Sequence, residues 1–309
     1  MRVRKPGKIR EGLWFLGSEE SCVYLLEGNK DSMIVSGGMA YLVPDLLSQF
    51  QEFHINEMRI RSLLILHSHF DHVGIIPFFK RRNPDLKIYA SERAWEILQM
   101  QNPLDTINEF SRAAARHMGK EQVYSTYDLD WREEIVGLTV YEGDSLDLGD
   151  LEVRIFETPG HSSCALSAYV PKLKALLASD SAGIPYKEML ITSGNSNFTA
   201  YQRSLEKLKD LDVEYACADH YGYMLGEEAE TLIDDTIRNA RLFRASVEDI
   251  YLRTVNIEAT AREMINSFYS ENRDYIIPPE ILEAVYRQMV RHIADAMVAL
   301  PGKKRTREG

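Results

Sequence analysis

The sequence predicts an α/β fold, a four-layer αββα sandwich followed by an all-helical appendage. Three observations carry this expectation. Strand-like runs fall in two blocks, one early and one in the middle of the chain. Helical spacing of apolar residues accompanies each block, which suits helices laid on the outside of two packed sheets. After about Gly226 the strand signals stop and only helical periodicity continues.

The first block opens with Leu13 to Leu16, Cys22 to Leu26 and Met33 to Val35, apolar runs separated by Gly, Asn and Asp. Leu42, Leu46, Leu47 and Phe50 then sit at helical spacing. Leu63 to Leu66 is continuous and short, as a strand buried on both faces should be. A helix begins over Ile75 to Phe79 and a strand follows over Lys87 to Ala90. Ser91 supplies a side-chain oxygen to cap a helix running to Met100, and another helix spans Pro103 to Gly119.

The second block places strands at Leu138 to Tyr141, Ser145 to Leu148, Leu151 to Glu157, Ala165 to Val170 and Ala175 to Ala178. A helix over Phe198 to Leu208 precedes the last expected strand, Glu214 to Cys217. Glu227 to Leu252 reads as one long helix, with Ile233, Ile237, Ala240, Phe243, Val247 and Ile250 at helical intervals. Glu258 to Phe268 and Pro279 to Leu300 continue the pattern. The expected division is a catalytic core over 1–225 and a helical cap over 226–309, serving as a lid or as a stabilising layer.

Composition narrows the partners. The chain has 309 residues, of which 45% are hydrophobic and 27% charged, within the globular range. A formal net charge of -11 argues against non-specific nucleic-acid binding, which relies on basic patches. The basic group Lys303, Lys304, Arg305 and Arg307 reads as a solvated terminus. No apolar run approaches the ~18 residues of a membrane span, and the charged opening MRVRKPGKIREG lacks the apolar stretch of a signal peptide. Cys22, Cys164 and Cys217 are odd in number and fit no disulfide or zinc-ribbon spacing. They are expected as reduced thiols of a cytoplasmic protein. A homodimer is the default assembly for such a chain.

The chemistry concentrates in His67-Ser68-His69-Phe70-Asp71-His72, directly after the buried run Leu63 to Leu66. Loops at the carboxyl ends of buried strands are where α/β proteins place ligand sites. Three imidazoles and a carboxylate packed this tightly would repel and desolvate one another without a cation. Three shorter signals follow in order, each at a strand end: Thr158-Pro159-Gly160-His161, then Ala178-Ser179-Asp180, then Ala218-Asp219-His220. Each alone is weak, and the ordered set is specific. Imidazole and carboxylate ligands suit zinc, iron or manganese alike.

With these four motifs the chain resembles the metallo-β-lactamase superfamily, whose signature H-x-H-x-D-H precedes a histidine, an aspartate and a histidine. The resemblance covers roughly Ile9 to Tyr223. It implies two divalent metal ions per chain, one held by His67, His69 and His161, the other by Asp71, His72 and His220, with Asp180 bridging them. It further implies a metal-bridging hydroxide as nucleophile, with Asp71 orienting it and handling protons. Two departures stand out. Ser36-Gly37-Gly38 occupies the early strand end where many members carry Asp-Gly, and Asp219 precedes the last ligand where Gly is common. The contacts supporting the ligands are therefore expected to differ.

Superfamily resemblance does not choose a reaction. No flavodoxin-like region follows the core, against a flavo-diiron reductase. The helical last third and overall length resemble the quinolone-signal-response type of acyl-CoA thioesterase, which implies a small-molecule acyl- or aroyl-CoA substrate. That type carries a glutamate where Ile184 stands, so a more apolar substrate is expected here. Glyoxalase II enzymes have similar ligands, but their basic glutathione-binding cluster is not found in these C-terminal helices. Phe70, Tyr186, Met189, Phe198 and Tyr223 lie near ligand loops in sequence and are the expected acyl-pocket residues. The competing readings are a lactonase or phosphodiesterase of the same fold, a mononuclear-iron sulfur dioxygenase, and a regulatory or binding protein that keeps the metal site.

Overall fold

The computed structural model describes residues 1–273, 275 and 279–299. The first half builds strands β1 (Arg2–Val3), β2 (Gly7–Arg10), β3 (Leu13–Gly17), β4 (Cys22–Glu27), β5 (Ser32–Val35), β6 (Ile60–Leu64), β7 (Lys87–Ala90) and β8 (Leu138–Thr139). Helices α1 (Val43–Glu52), α2 (Phe70–Val73), α3 (Ile76–Arg82), α4 (Glu92–Leu98), α5 (Gln101–His117) and α6 (Val123–Thr126) lie between them. The second half builds β9 (Ser145–Asp147), β10 (Glu152–Glu157), β11 (Leu166–Val170), β12 (Ala175–Leu177), β13 (Ile184–Tyr186), β14 (Met189–Ile191), β15 (Tyr215–Cys217) and β16 (Tyr223–Leu225). Its helices are α7 (Phe198–Leu208), α8 (Glu227–Glu230), α9 (Leu232–Thr254), α10 (Ile257–Glu271) and α11 (Pro279–Ala299).

Two seven-stranded sheets result, ordered β2-β3-β4-β5-β6-β7-β8 and β1-β16-β15-β12-β11-β10-β9, with β13 and β14 forming a separate hairpin. Alternation along the strands divides the apolar side chains between faces. In β4, Cys22, Tyr24 and Leu26 point to the other sheet, where they meet Val153, Ile155, Leu166, Ala168 and Leu177. Val23 and Leu25 point outward to a layer carrying Leu46 and Phe50 of α1, Phe79 of α3, Leu98 of α4 and Leu104 of α5. Leu176, Ala216 and Met224 of the second sheet face outward onto α7, α9, α10 and α11 through Leu205, Val247, Ile265 and Val290. Three buried layers between four structural layers make the predicted αββα sandwich. The helices after Gly226 extend its outer layer on the second sheet.

Most predicted elements stand where the periodicity placed them, and Ser91 caps α4 by accepting the Ala94 N–H at 3.2 Å. Four corrections apply. The strand before the histidine cluster ends at Leu64, and Ile65 and Leu66 continue as buried chain beyond it. The segment over 227–252 is two helices, α8 and α9, not one. Glu214 to Cys217 does not hold the last strand: β16 follows and pairs with both β15 and β1. Gly222 allows that close return, since it takes φ +86° and a Cβ there would stand 2.0 Å from the Val3 carbonyl oxygen. The hairpin β13–β14 is the fourth difference, since its three-residue strands are too short to show a period. The predicted helix end at Leu300 and the basic tail lie outside the described residues.

Cys22, Cys164 and Cys217 are free and buried. Among the described residues no helix is long and apolar enough to cross a membrane.

Candidate metal centre

All seven predicted ligands gather at one edge of the sandwich, where loops from both sheets meet. His67 follows β6, and His69 sits at the N-cap of α2, which carries Asp71 and His72. His161 lies in the turn after β10, Asp180 in a 3-10 turn after β12, and His220 between β15 and β16. The His161 turn depends on Gly160, which takes φ +141° and lies so close to Tyr201 that a Cβ would stand 2.2 Å from its backbone nitrogen.

The side chains form two triads. His67, His69 and His161 converge, with His69 Nδ1 3.2 Å from His67 Nε2 and 3.1 Å from His161 Nε2. Asp71, His72 and His220 form the second, with Asp71 Oδ2 3.4 Å from His72 Nε2 and 3.5 Å from His220 Nε2. Asp180 lies between them: Oδ2 is 3.3 Å from His161 Nε2 and 3.4 Å from His72 Nε2, while Oδ1 is 3.8 Å from His220 Nε2. Within each triad the potential ligand atoms lie within 4.8 Å of one another.

Four of the five imidazoles are held from behind. His161 donates from Nδ1 to the Ser193 carbonyl at 2.9 Å, and His220 from Nδ1 to the Glu20 carbonyl at 2.7 Å. His67 Nδ1 is 3.2 Å from Ser179 Oγ, and His72 Nδ1 is 2.8 Å from Asp219 Oδ2. In the neutral ring, donation from Nδ1 leaves the Nε2 lone pair aimed at the centre. His69 is reversed, presenting Nδ1 inward, and is exposed at the mouth.

Electrostatics follow from this crowding. Burial drives the His67 ring well below its ordinary pKa, and the neighbouring His72, His69 and His161 push the same way. Burial also dominates in lowering His161. Burial opposes a charge on His72 as well, but Asp71, Asp180 and Asp219 outweigh it and raise His72 well above the ordinary range. Burial likewise opposes ionising Asp180, yet His72, His220 and His161 hold its carboxyl well below the usual carboxylate range.

The donor set fits divalent cations. Nε2 of His72 and Oδ1 of Asp180 are buried without any hydrogen-bond partner, and both face the centre. Imidazole nitrogens about 2.0–2.1 Å from a tetrahedral ion stand ~3.3 Å apart, close to the 3.1 and 3.2 Å contacts around His69.

The expected acyl-pocket residues separate. Phe70 packs edge-on to Phe110 of α5 at 5.6 Å, and Met189 is 38% exposed on the hairpin. Tyr186 ends β13 with its ring 5.3 Å from Tyr221, the neighbour of His220, and 4.9 Å from Tyr275. Phe198 and Tyr223 need correction as pocket residues. Phe198 is fully buried and stacked on Phe243 at 5.2 Å, because the helix face it occupies is the one turned to the second sheet's outer core. Tyr223 alternates into the core between the sheets and meets Phe15 edge-on at 6.3 Å. Sequence reasoning missed Ser179, Ser193, Tyr221 and Tyr275. The departures at Ser36 and at Asp219 were the local signs of the contacts behind the histidines, and the two side chains bond each other at 2.7 Å.

Two facing sheets with histidine and aspartate clusters at one shared edge define a hydrolase fold with side chains able to hold metal. The Metallo-beta-lactamase superfamily model matches residues 19–220, and the chain belongs to that superfamily. Solved structures agree on the fold. A metallo-beta-lactamase family protein from Thermus thermophilus is 16% identical, with 94% of each chain covered and a TM-score of 0.66. A beta-lactamase domain protein from Burkholderia ambifaria is 15% identical, covering 96% of this chain and 88% of its own, with a TM-score of 0.68. An archaeal superfamily protein from Sulfolobus tokodaii is 18% identical, covering 92% and 98%, with a TM-score of 0.59. The hydroxyacylglutathione hydrolase of Legionella pneumophila (strain Lens) is 24% identical over 127 residues, 40% of this chain and only 35% of that relative's length.

Proposed function

We propose that this protein is a di-metal hydrolase that cleaves a thioester of the acyl- or aroyl-CoA type. The observation that carries the reading is the pair of ligand triads with Asp180 between them. In this reading His67, His69 and His161 hold one divalent ion, Asp71, His72 and His220 hold the other, and Asp180 serves both. Zinc, iron and manganese all suit these ligands. Bound there, such ions supply a nucleophilic water at neutral pH and polarise a carbonyl.

Asp71 is the residue for proton handling. Burial opposes its charge, but His72, His220 and His69 hold its carboxyl well below the usual carboxylate range, so it stays ionised as a base must. At 20% exposed against 7% for Asp180, its side chain reaches solvent. A thiolate leaves readily without a general acid, which suits a centre built from imidazoles and carboxylates. The Legionella relative, named for hydrolysing an acylated glutathione, supports a thiol-borne acyl group over a lactone or phosphodiester. Phe70, Tyr186 and Met189 remain candidates to contact the acyl group. Free, buried thiols fit a reducing, cytoplasmic setting.

The test is thiol release from a panel of acyl- and aroyl-CoA thioesters by metal-verified protein and its Asp71→Ala variant. Release by the first alone establishes the thioesterase and ranks its acyl groups. No release from any thioester, with two metals bound, overturns the reading and directs the assay to lactones and phosphodiesters.

A further inference from the structure

We propose that Asp219 is a positioning residue for both ligand triads, orienting His72 directly and His67 through Ser179. The inference rests on the two-metal reading above. Asp219 is 2% exposed, and its Oδ2 is the meeting point of three side chains. His72 Nδ1 stands 2.8 Å away, Ser36 Oγ 2.7 Å and Ser179 Oγ 2.5 Å. A carboxylate oxygen accepts, so all three donate. In the neutral ring that a metal ligand must be, His72 therefore keeps its proton on Nδ1 and turns a bare Nε2 to the second triad.

Ser179 has a single hydroxyl proton, and it goes to Asp219. Its oxygen then accepts from His67 Nδ1 at 3.2 Å, leaving His67 Nε2 bare toward the first triad. One carboxylate thus sets the tautomers of one ligand in each triad.

Backbone geometry reinforces the assignment. Ser36 and Ser179 are non-glycine residues at φ 64° and φ 49°, a left-handed conformation that L side chains disfavour. They follow strands of different sheets, β5 and β12, yet both aim their hydroxyls at the same oxygen. Strain held at two separate strand ends for one acceptor is characteristic of a site that needs that acceptor. Asp219 is itself anchored across the sheets, its carbonyl accepting the Cys22 N–H at 2.8 Å.

The experiment measures zinc affinity by chelator competition, metal stoichiometry, and the visible spectrum of the cobalt(II)-loaded protein. It compares wild type with Asp219→Ala, Asp219→Asn and Ser179→Ala. Asp219→Ala should weaken zinc binding by about 10- to 100-fold and alter the cobalt spectrum. Asp219→Asn, which keeps an accepting oxygen, should recover part of that loss. Ser179→Ala, which cuts only the link to His67, should weaken one metal equivalent and spare the other. If Asp219→Ala does not fold, the other two variants decide. A purely structural Asp219 would lower the melting temperature of the metal-free variants while leaving affinity and spectrum unchanged, and that result overturns the proposal. Wild-type protein that binds no metal overturns the two-metal reading and this inference together. Wild-type protein with two metals and indifferent variants overturns this inference alone.

Discussion

His67, His69 and His161 make an all-imidazole cluster, and burial holds both His67 and His161 toward the neutral form. His161 leans on a backbone carbonyl. Asp71, His72 and His220 make a mixed cluster, and His72 is surrounded by Asp71, Asp180 and Asp219. These carboxylates pull its ring toward the charged form, against burial. Under the two-metal proposal, the two clusters would hold similar cations in dissimilar surroundings. The first cluster offers lone pairs with little charge, and the second offers negative charge in excess. Asp180 spans the two, and its carboxyl is kept ionised by histidines from both.

The sharpest way to break this comparison is at its solvent edge. Asp71→Ala should cost about 10²- to 10⁴-fold in turnover if the carboxylate moves protons during hydrolysis. Steady-state thiol release on the metal-replete variant would reveal it, and a smaller loss would reduce Asp71 to a ligand only. Next in size, His67→Ala and His220→Ala should each lose one metal equivalent, from opposite clusters. Elemental analysis of the two purified variants distinguishes two sites from a single shared one.

Stripping the metals should lower stability by about 2.7 kcal/mol for each site emptied, relative to protein kept at a metal concentration a hundredfold above Kd. Calorimetry with and without chelator measures this. In the stripped protein the mixed cluster should also impose a pH dependence. The His72 pKa is raised on folding above its ordinary 6.5. Its contribution is therefore complete below about pH 6.5 and lost as pH rises through the elevated folded value. The melting temperature of the metal-free protein should fall over that alkaline window, and refilling the site with metal should remove the dependence. The smallest effect belongs to the all-imidazole cluster. Ser193→Ala removes a hydroxyl 3.2 Å from His161 Nδ1 but keeps the carbonyl at 2.9 Å. Metal affinity should not change, and stability should drop by about 1 kcal/mol or less.

The sequence by itself determined the two strand blocks, the outer helices and the ligand-bearing strand ends, because these depend on local periodicity and on clustered residue chemistry. Seven ligand candidates were legible for the same reason. His67 to His72 announce themselves within one short stretch of chain, and the other three each close a readable strand.

Only the tertiary structure decided what stands behind those ligands. The bonds from Ser36 and His72 to Asp219 join residues 183 and 147 positions apart, and that of Ser179 joins residues 40 apart. No window of periodicity spans such distances. The pairing of β1 with β16 closes the second sheet across almost the whole core, through strands of two and three residues too short to show alternation. Phe198 and Tyr223 lie near ligand loops in the chain yet point into the core, since the side of a helix or strand that faces a partner sheet is set by packing. Clustering along the chain and strand-end positions located the ligand candidates. The orientation of each buried ring was set by donors and acceptors from both sheets, which must be satisfied where water is excluded.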